Sequence, residues 1–477
     1  MTTLVFVHGW SVTHTSTYGD LPARLQQRAA AEGLPLRIAD LWLSEYVSFD
    51  DAVTMADLVR GFDRALRELH LHDAQFACIT HSTGGPLVRE WLRAQRERPA
   101  IHSTIRLSHL VMLAPANFGS ALAQLGKSSV SRLQAWFQGI EPGRRILDWL
   151  ELGSTESLSL NLDHIHGDDP ADAGQFLFVL TGDRPDRAMY DHINSYTGED
   201  GSDGVVRIAA ANLNARHAVL SKGRAENPDT LSLNVRRAPR SAFKLIAGAA
   251  HSGERHGIMA AATTPTIDAI LRCLRVFDRN SYAELCDAFA VENAARDRDR
   301  VEFEPAGPFP PRLHIHDPCS LLLVRLTDET DEPLTDARFL LQAGTPSNPD
   351  WMPQGFMLDR QAHSHARHVI ALFLNHAVLA GSERIGDPRN SRKTLRAALD
   401  AHRPYGALIQ PVDLEGLVHH AIAQTHPADD LLDLLGPHET TVLDVVMPRK
   451  VHEGVFRLIR SLAPRDFRHP EPGPTIP

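Results

Sequence analysis

The stretch Phe76-Ala77-Cys78-Ile79-Thr80-His81-Ser82-Thr83-Gly84-Gly85-Pro86-Leu87-Val88-Arg89 decides how the rest of the chain is read. The apolar run Phe76–Ile79 is a short buried strand, a turn of small residues follows, and a helix opens beyond it. A serine on such a turn is forced out of the strand top, where the dipole and free N–H groups of the next helix point at it. Its neighbours must be small because strand and helix approach closely there. The segment predicts a parallel α/β sheet with Ser82 as candidate nucleophile at the carboxyl end of a strand.

Outward from this point, short apolar runs recur at Leu4–Val7, Leu36–Trp42, Leu110–Leu113, Phe176–Leu180 and Phe243–Ile246, each in the helix-flanked context of a buried parallel strand. Between Asp51 and His70, Met55, Leu58, Val59, Phe62, Leu66 and Leu69 fall at three-and-four spacing and predict an amphipathic crossover helix. About six mainly parallel strands are expected over residues 1–285, with a cap inserted at about residues 120–165, where helical pieces are broken by Glu141-Pro142-Gly143. The charged run Glu292–Arg300 and the proline-rich Pro305–Pro311 suggest a linker over residues 286–312. Beyond it, Ser320–Thr327, Ala337–Gln342, Val369–Leu374 and Thr440–Met447 look like strands of a smaller β-rich, sandwich-like domain spanning residues 313–465. The proline-rich tail, residues 466–477, is expected to join no core.

Ser82 has chemical company. The first strand runs into His8-Gly9-Trp10-Ser11, an acidic glycine-rich segment Gly201-Ser202-Asp203-Gly204-Val205 lies downstream, and the last strand leads into Ala250-His251-Ser252-Gly253. The elbow resembles the Gly-x-Ser-x-Gly nucleophile turn of α/β-hydrolases, with Thr80 at the first glycine position and Gly84 at the second. The His-Gly strand end resembles the oxyanion loop of lipases and esterases in that fold, and the Asp-Gly-x-Val loop resembles the acid loop of bacterial lipases and lecithin:cholesterol-acyltransferase-like enzymes. Asn117-Phe118-Gly119-Ser120 looks like the lipase loop that precedes the cap. The likeness extends to inositol-deacylase-like hydrolases and to type VI lipase effectors of bacteria.

The resemblance implies a triad of Ser82, Asp203 and His251, in the family's chain order, and an oxyanion hole from the backbone N–H groups of Thr83 and Trp10. Asp183, directly after the fifth strand, competes as the acid, and His256 competes as the base. What it implies chemically is a serine esterase acting on lipid or phospholipid esters without metal or organic cofactor. Leu133, Trp136, Phe137, Ile140, Trp149 and Leu150 are candidates to line an acyl pocket under the cap. A small-ester esterase or acyltransferase would use the same residues, and a binding module would use the same fold without the chemistry.

Composition bounds the partners. The 477 residues carry 49 Lys+Arg against 59 Asp+Glu, a formal net charge of −10, which gives the whole chain no electrostatic reason to hold nucleic acid. Cys78, Cys273, Cys286 and Cys319 show no metal-knuckle or disulfide-scaffold spacing and are expected as reduced, mostly buried thiols. The amino terminus lacks a signal-peptide pattern and no apolar run reaches the length of a membrane span, so a soluble chain made in the cytoplasm is expected. Transient contact with a membrane surface, signal-peptide-independent export and a secretion or immunity partner are further expectations of the resemblance.

Overall fold

Parallel strands buried on both faces must be apolar throughout, and the six apolar runs pair accordingly. In the computed structural model β1 (Thr2–His8), β2 (Leu36–Trp42), β3 (Phe76–His81), β4 (Leu107–Leu113), β5 (Phe176–Gly182) and β8 (Ala242–Ile246) form one parallel sheet in the order β2-β1-β3-β4-β5-β8. The structure describes residues 2–8, 18–47, 50–71, 74–97, 105–128, 143–184, 201–222, 231–298, 301–306, 309–335, 337–343, 352–381, 384–396, 404–411, 417–419, 422–425, 433–447 and 449–451.

Helices cover both faces. The predicted crossover is α2 (Met55–Glu68), which follows α1 (Leu21–Ala31) and starts on a capping box between Thr54 and Asp57. Its Met55, Leu58, Phe62 and Leu66 are buried beside α3 (Gly84–Arg96), whereas Leu69 is 37% exposed. The opposite face packs on α1, α8 (Thr264–Leu274) and α9 (Arg279–Arg298). The run Glu292–Arg298, expected in the linker, stands in the last turns of α9. That helix holds to the sheet through Tyr282, Leu285, Cys286, Phe289 and Asn293, while its charged side faces water.

In the cap region, α4 (Ala121–Ser128), α5 (Arg144–Leu150) and α6 (Thr155–His166) are helical, and the short α7 (Ile208–Ala211) follows β5. Trp149 and Leu150 are buried in the main core; Leu133, Trp136, Phe137 and Ile140 lie outside the described residues.

A second sheet is built largely from the C-terminal half. It contains β11 (Cys319–Asp328), β13 (Met357–Ala362), β14 (Val369–Asn375) and β20 (Thr440–Met447). Its order is β13-β14-β11-β20-β6-β7, so it also takes in β6 (Arg216–Lys222) and β7 (Leu231–Arg237), a hairpin that leaves the chain between β5 and β8. β20 bridges β11 and β6 with parallel pairing on both sides. A separate sheet joins β12 (Ala337–Ala343), β17 (Pro404–Pro411) and β19 (Ile422–Thr425); β9 (Val301–Ala306) with β10 (Phe309–Ile315) and β15 (Ile385–Asp387) with β16 (Asn390–Arg396) are hairpins, and β18 (Leu417–His419) pairs with β21 (Arg449–Val451). The proline-rich stretch thus supplies β9 and β10, bulged between Phe309 and Arg312 where two prolines cannot donate ladder bonds.

The two parts interlock. The cap's buried Glu151 accepts hydrogen bonds from Ser364 N and Oγ, both at 2.7 Å, and the side chain of Val369 fills the space beside Gly153. All four cysteines are buried and none is in a disulfide, and no helix among the described residues is long and apolar enough to cross a membrane.

Candidate active site

The elbow is built by size matching. Ser82 adopts φ 53°, the left-handed region that a non-glycine residue rarely enters, and its N–H is held by Leu113 O at 3.0 Å. Thr80, where the usual motif has glycine, is fully buried with its Cβ only 3.2 Å from where a side chain on Gly84 would begin. The glycine at 84 makes room for the threonine at 80. A side chain on Gly85 would meet Pro115 at 2.8 Å, so the second glycine lets α3 settle on the β4 loop. The Thr83 N–H stands at the N-terminus of α3 and has no hydrogen-bond partner among the described residues. Trp10, the expected second oxyanion donor, lies outside the described residues.

His251 reaches this serine from the loop after β8. Its Nε2 is 3.1 Å from Ser82 Oγ and its Nδ1 is 3.0 Å from Asp203 Oδ2. Because a buried carboxylate only accepts, Nδ1–H donates to Asp203, which leaves Nε2 to accept from the serine hydroxyl. Asp203, 1% exposed, is held in turn: Oδ1 accepts N–H bonds from Val205 at 3.0 Å and Val206 at 2.8 Å. The two loops are also tied by their backbones, His251 N donating to Asp203 O at 2.9 Å. Ser120, in the loop before the cap, donates from Oγ to Val205 O at 2.6 Å and braces the acid loop from the catalytic side.

The competing residues lie elsewhere. Asp183 spends its oxygens on Gly248 N–H and Arg296 Nε, each at 2.8 Å, so it anchors the base loop to α9 and does not meet His251. His256 takes part through its backbone, accepting from Ala250 N at 2.8 Å.

One participant escaped the sequence reading. His81, between Thr80 and the serine, donates from Nε2 to the backbone carbonyl of His251 at 2.9 Å, and the two rings lie 4.7 Å apart at 51°. Burial, and then the proximity of His251, lowers its pKa to about 3. It is therefore a neutral ring fastened to the base. The only signal for it was its place in the elbow, where the neighbour of a nucleophile faces the site's other loops.

This geometry can support acyl transfer: a half-buried hydroxyl on a strained residue, an imidazole placed to take its proton, a buried carboxylate on the far ring nitrogen, and an amide donor beside the serine. No family model matches the chain, and no curated protein matches it. Among solved structures it is similar to the phospholipase PlaB from Legionella pneumophila, 36% identical over 100% of both chains with TM-score 0.84. It is likewise similar to the same protein in complex with thio-NAD, 35% identical over 100% of both chains, TM-score 0.83. The Bacillus licheniformis lipase BlEst2 in mature form is far more distant: 17% identity, 57% of this chain and 91% of that one, TM-score 0.38.

Proposed function

The chain belongs to the family of the Legionella pneumophila phospholipase PlaB, and on that premise we propose that it is a serine phospholipase working through Ser82, His251 and Asp203. The observation that carries this reading is the unbroken hydrogen-bond chain from Ser82 Oγ through His251 to Asp203. In the first half-reaction Ser82 Oγ attacks the acyl carbonyl carbon while His251 Nε2 takes the hydroxyl proton. Asp203 keeps Nδ1 protonated and stabilises the imidazolium. The oxyanion lies against the Thr83 N–H, with Trp10 N–H as the family-type second donor. Collapse breaks the ester bond, and His251 returns its proton to the departing lysolipid oxygen. Water, deprotonated by the same imidazole, then attacks the acyl-serine and releases the fatty acid.

A phospholipid presents its ester at an aggregate surface, so transient contact with a membrane belongs to the proposal. The PlaB relative was captured with thio-NAD; ester hydrolysis by a serine triad transfers no hydride, and a dinucleotide has no part in the steps above. The test is fatty-acid release from mixed phospholipid vesicles and from short-chain esters by wild type and Ser82→Ala. The proposal expects both substrates to be cleaved and the variant to lose about 10³-fold or more in kcat. Cleavage of short esters alone would reject the phospholipase assignment, and an undiminished variant would reject the nucleophile.

A further inference from the structure

The acid loop is finished by the second sheet. Gly201, at φ 76°, presses so closely on that sheet that a side chain there would sit 2.8 Å from Cys319 Sγ and 3.1 Å from the Phe373 ring. Four residues after Asp203, Arg207 is 2% exposed. Its guanidinium lies over the Phe373 ring at 4.3 Å and its Nη2 donates to Asp359. Two further bonds fasten the same segment, Thr440 Oγ1 to Ala209 O and Asn212 Nδ2 to His438 O, each at 2.8 Å.

The partner strand is shaped for this contact. β13 pairs Met357 with Leu374 and then Asp359 with Phe373, so Leu358 is an extra residue in the ladder. Such a bulge re-aims the side chain that follows it. Here it sets Asp359 opposite Phe373, the ring on which Arg207 lies. A buried arginine would be costly without its carboxylate and ring, so the local sequence of β13 and the acid loop fit one another.

We propose that Arg207, clamped by Asp359 and Phe373, is a positioning residue for Asp203, and that the second sheet is in this way a working part of the catalytic apparatus. The carboxylate is held by N–H groups of Val205 and Val206, immediately before Arg207, so the direction of the Asp203–His251 bond depends on where the arginine is anchored. This inference rests on the proposed triad, and its test separates the two.

Arg207→Met, Asp359→Asn and wild type are compared on a short-chain ester across pH, with kcat normalised to the serine that a fluorophosphonate labels. Ser82→Ala serves as the check on the triad itself. The expectation is a fall in kcat of about 10- to 100-fold in both clamp variants, the scale of a misplacement near 1 Å, with KM changed less than about threefold. The second readout is the acid limb of kcat/KM, which reports the protonation of His251. Ser82 and Asp203 hydrogen-bond that ring and the His81 ring packs against it. If Asp203 is loosened, the imidazolium loses support and the limb moves to lower pH in both variants, by about 0.5 unit or more.

Through-space charge alone would move the limbs in opposite directions, up on losing the arginine and down on losing the aspartate; that result overturns the positioning role. So does an unchanged kcat per labelled serine. Should Arg207→Met fail to fold, Asp359→Asn on the better hydrated side of the pair decides alone: unaltered kcat and limb refute the clamp. Loss of labelling in wild type, or activity in Ser82→Ala, instead defeats the triad and leaves the clamp as architecture.

Discussion

Asp203→Asn is the substitution whose outcome the structure specifies most sharply. Oδ1 of Asp203 receives the N–H groups of Val205 and Val206, so whatever atom replaces it must accept hydrogen bonds. An asparagine therefore keeps its carbonyl oxygen there and turns its NH₂ toward His251 Nδ1, 3.0 Å away in the wild type. An NH₂ donates, so the imidazole must accept through Nδ1 and carry its proton on Nε2, the atom facing Ser82. The base is then in the tautomer that cannot take the serine proton. The residue is 1% exposed, which leaves no water to rescue the geometry. The expected loss in kcat is about 10⁴-fold, or about 5.4 kcal/mol of barrier, with folding and KM nearly intact. Steady-state hydrolysis of a soluble ester gives the magnitude, and ¹⁵N resonances of the His251 ring give the tautomer. A loss below tenfold, or an Nδ1 that remains protonated in the variant, would refute this account of the acid. Asp183→Asn is the natural comparison: its partners are Gly248 and Arg296, and it should retain most of the activity.

His81→Phe keeps the ring but removes the donor to the His251 carbonyl, and should lower kcat by about tenfold; His81→Gln, which can still donate, should recover most of it in the same assay. At Gly182 an added methyl would lie 1.9 Å from Ala249 O, two residues before the base, so Gly182→Ala should reduce both Tm and kcat, by a margin well beyond that of a surface change. Three partly buried histidines have folded pKa values below the ordinary 6.5: His81 and His164 at about 3 and His376 at about 4, each depressed chiefly by loss of hydration. The unfolded chain binds their protons first as pH falls. Their contribution to stability is present above pH ~6.5 and is lost toward pH 4 to 3. Thermal melts between pH 7 and 4.5 should show Tm falling, and substitution of His376 by Gln should flatten the fall.

The catalytic sheet was legible because parallel strands covered on both faces cannot hide their apolar runs: the expected segments lie within β1, β2, β3, β4, β5 and β8. The elbow was legible because Ser82 needs small neighbours on a fixed spacing, the histidine candidate because it follows the last strand of the sheet, and the aspartate candidate only through the resemblance of its Asp-Gly-x-Val segment. What the chain did not disclose is non-local. Arg216–Lys222 and Leu231–Arg237 are half-polar segments that pair with each other, and the parallel neighbour of the first, Thr440–Met447, lies more than two hundred residues away; no local pattern reports such a partnership. Arg207 is another case, since nothing near it in sequence announces Phe373 or Asp359. The charge of Glu292–Arg298 masked a helix whose buried residues recur at helical spacing from Tyr282 to Asn293.

The excursion of β6 and β7 has a consequence for the order of events during synthesis. Asp203 and His251 flank this hairpin, and β6 finds its parallel neighbour only in β20, near residue 440. A two-stranded hairpin standing alone is marginal in water. While the ribosome is still decoding the second half of the chain, the serine, acid and base have all emerged, yet the segment between acid and base lacks the strand that fixes it. Competence to cut lipid is thereby deferred until Thr440–Met447 has been made, and fragments released before it should be inert toward the membranes of the cell that makes them.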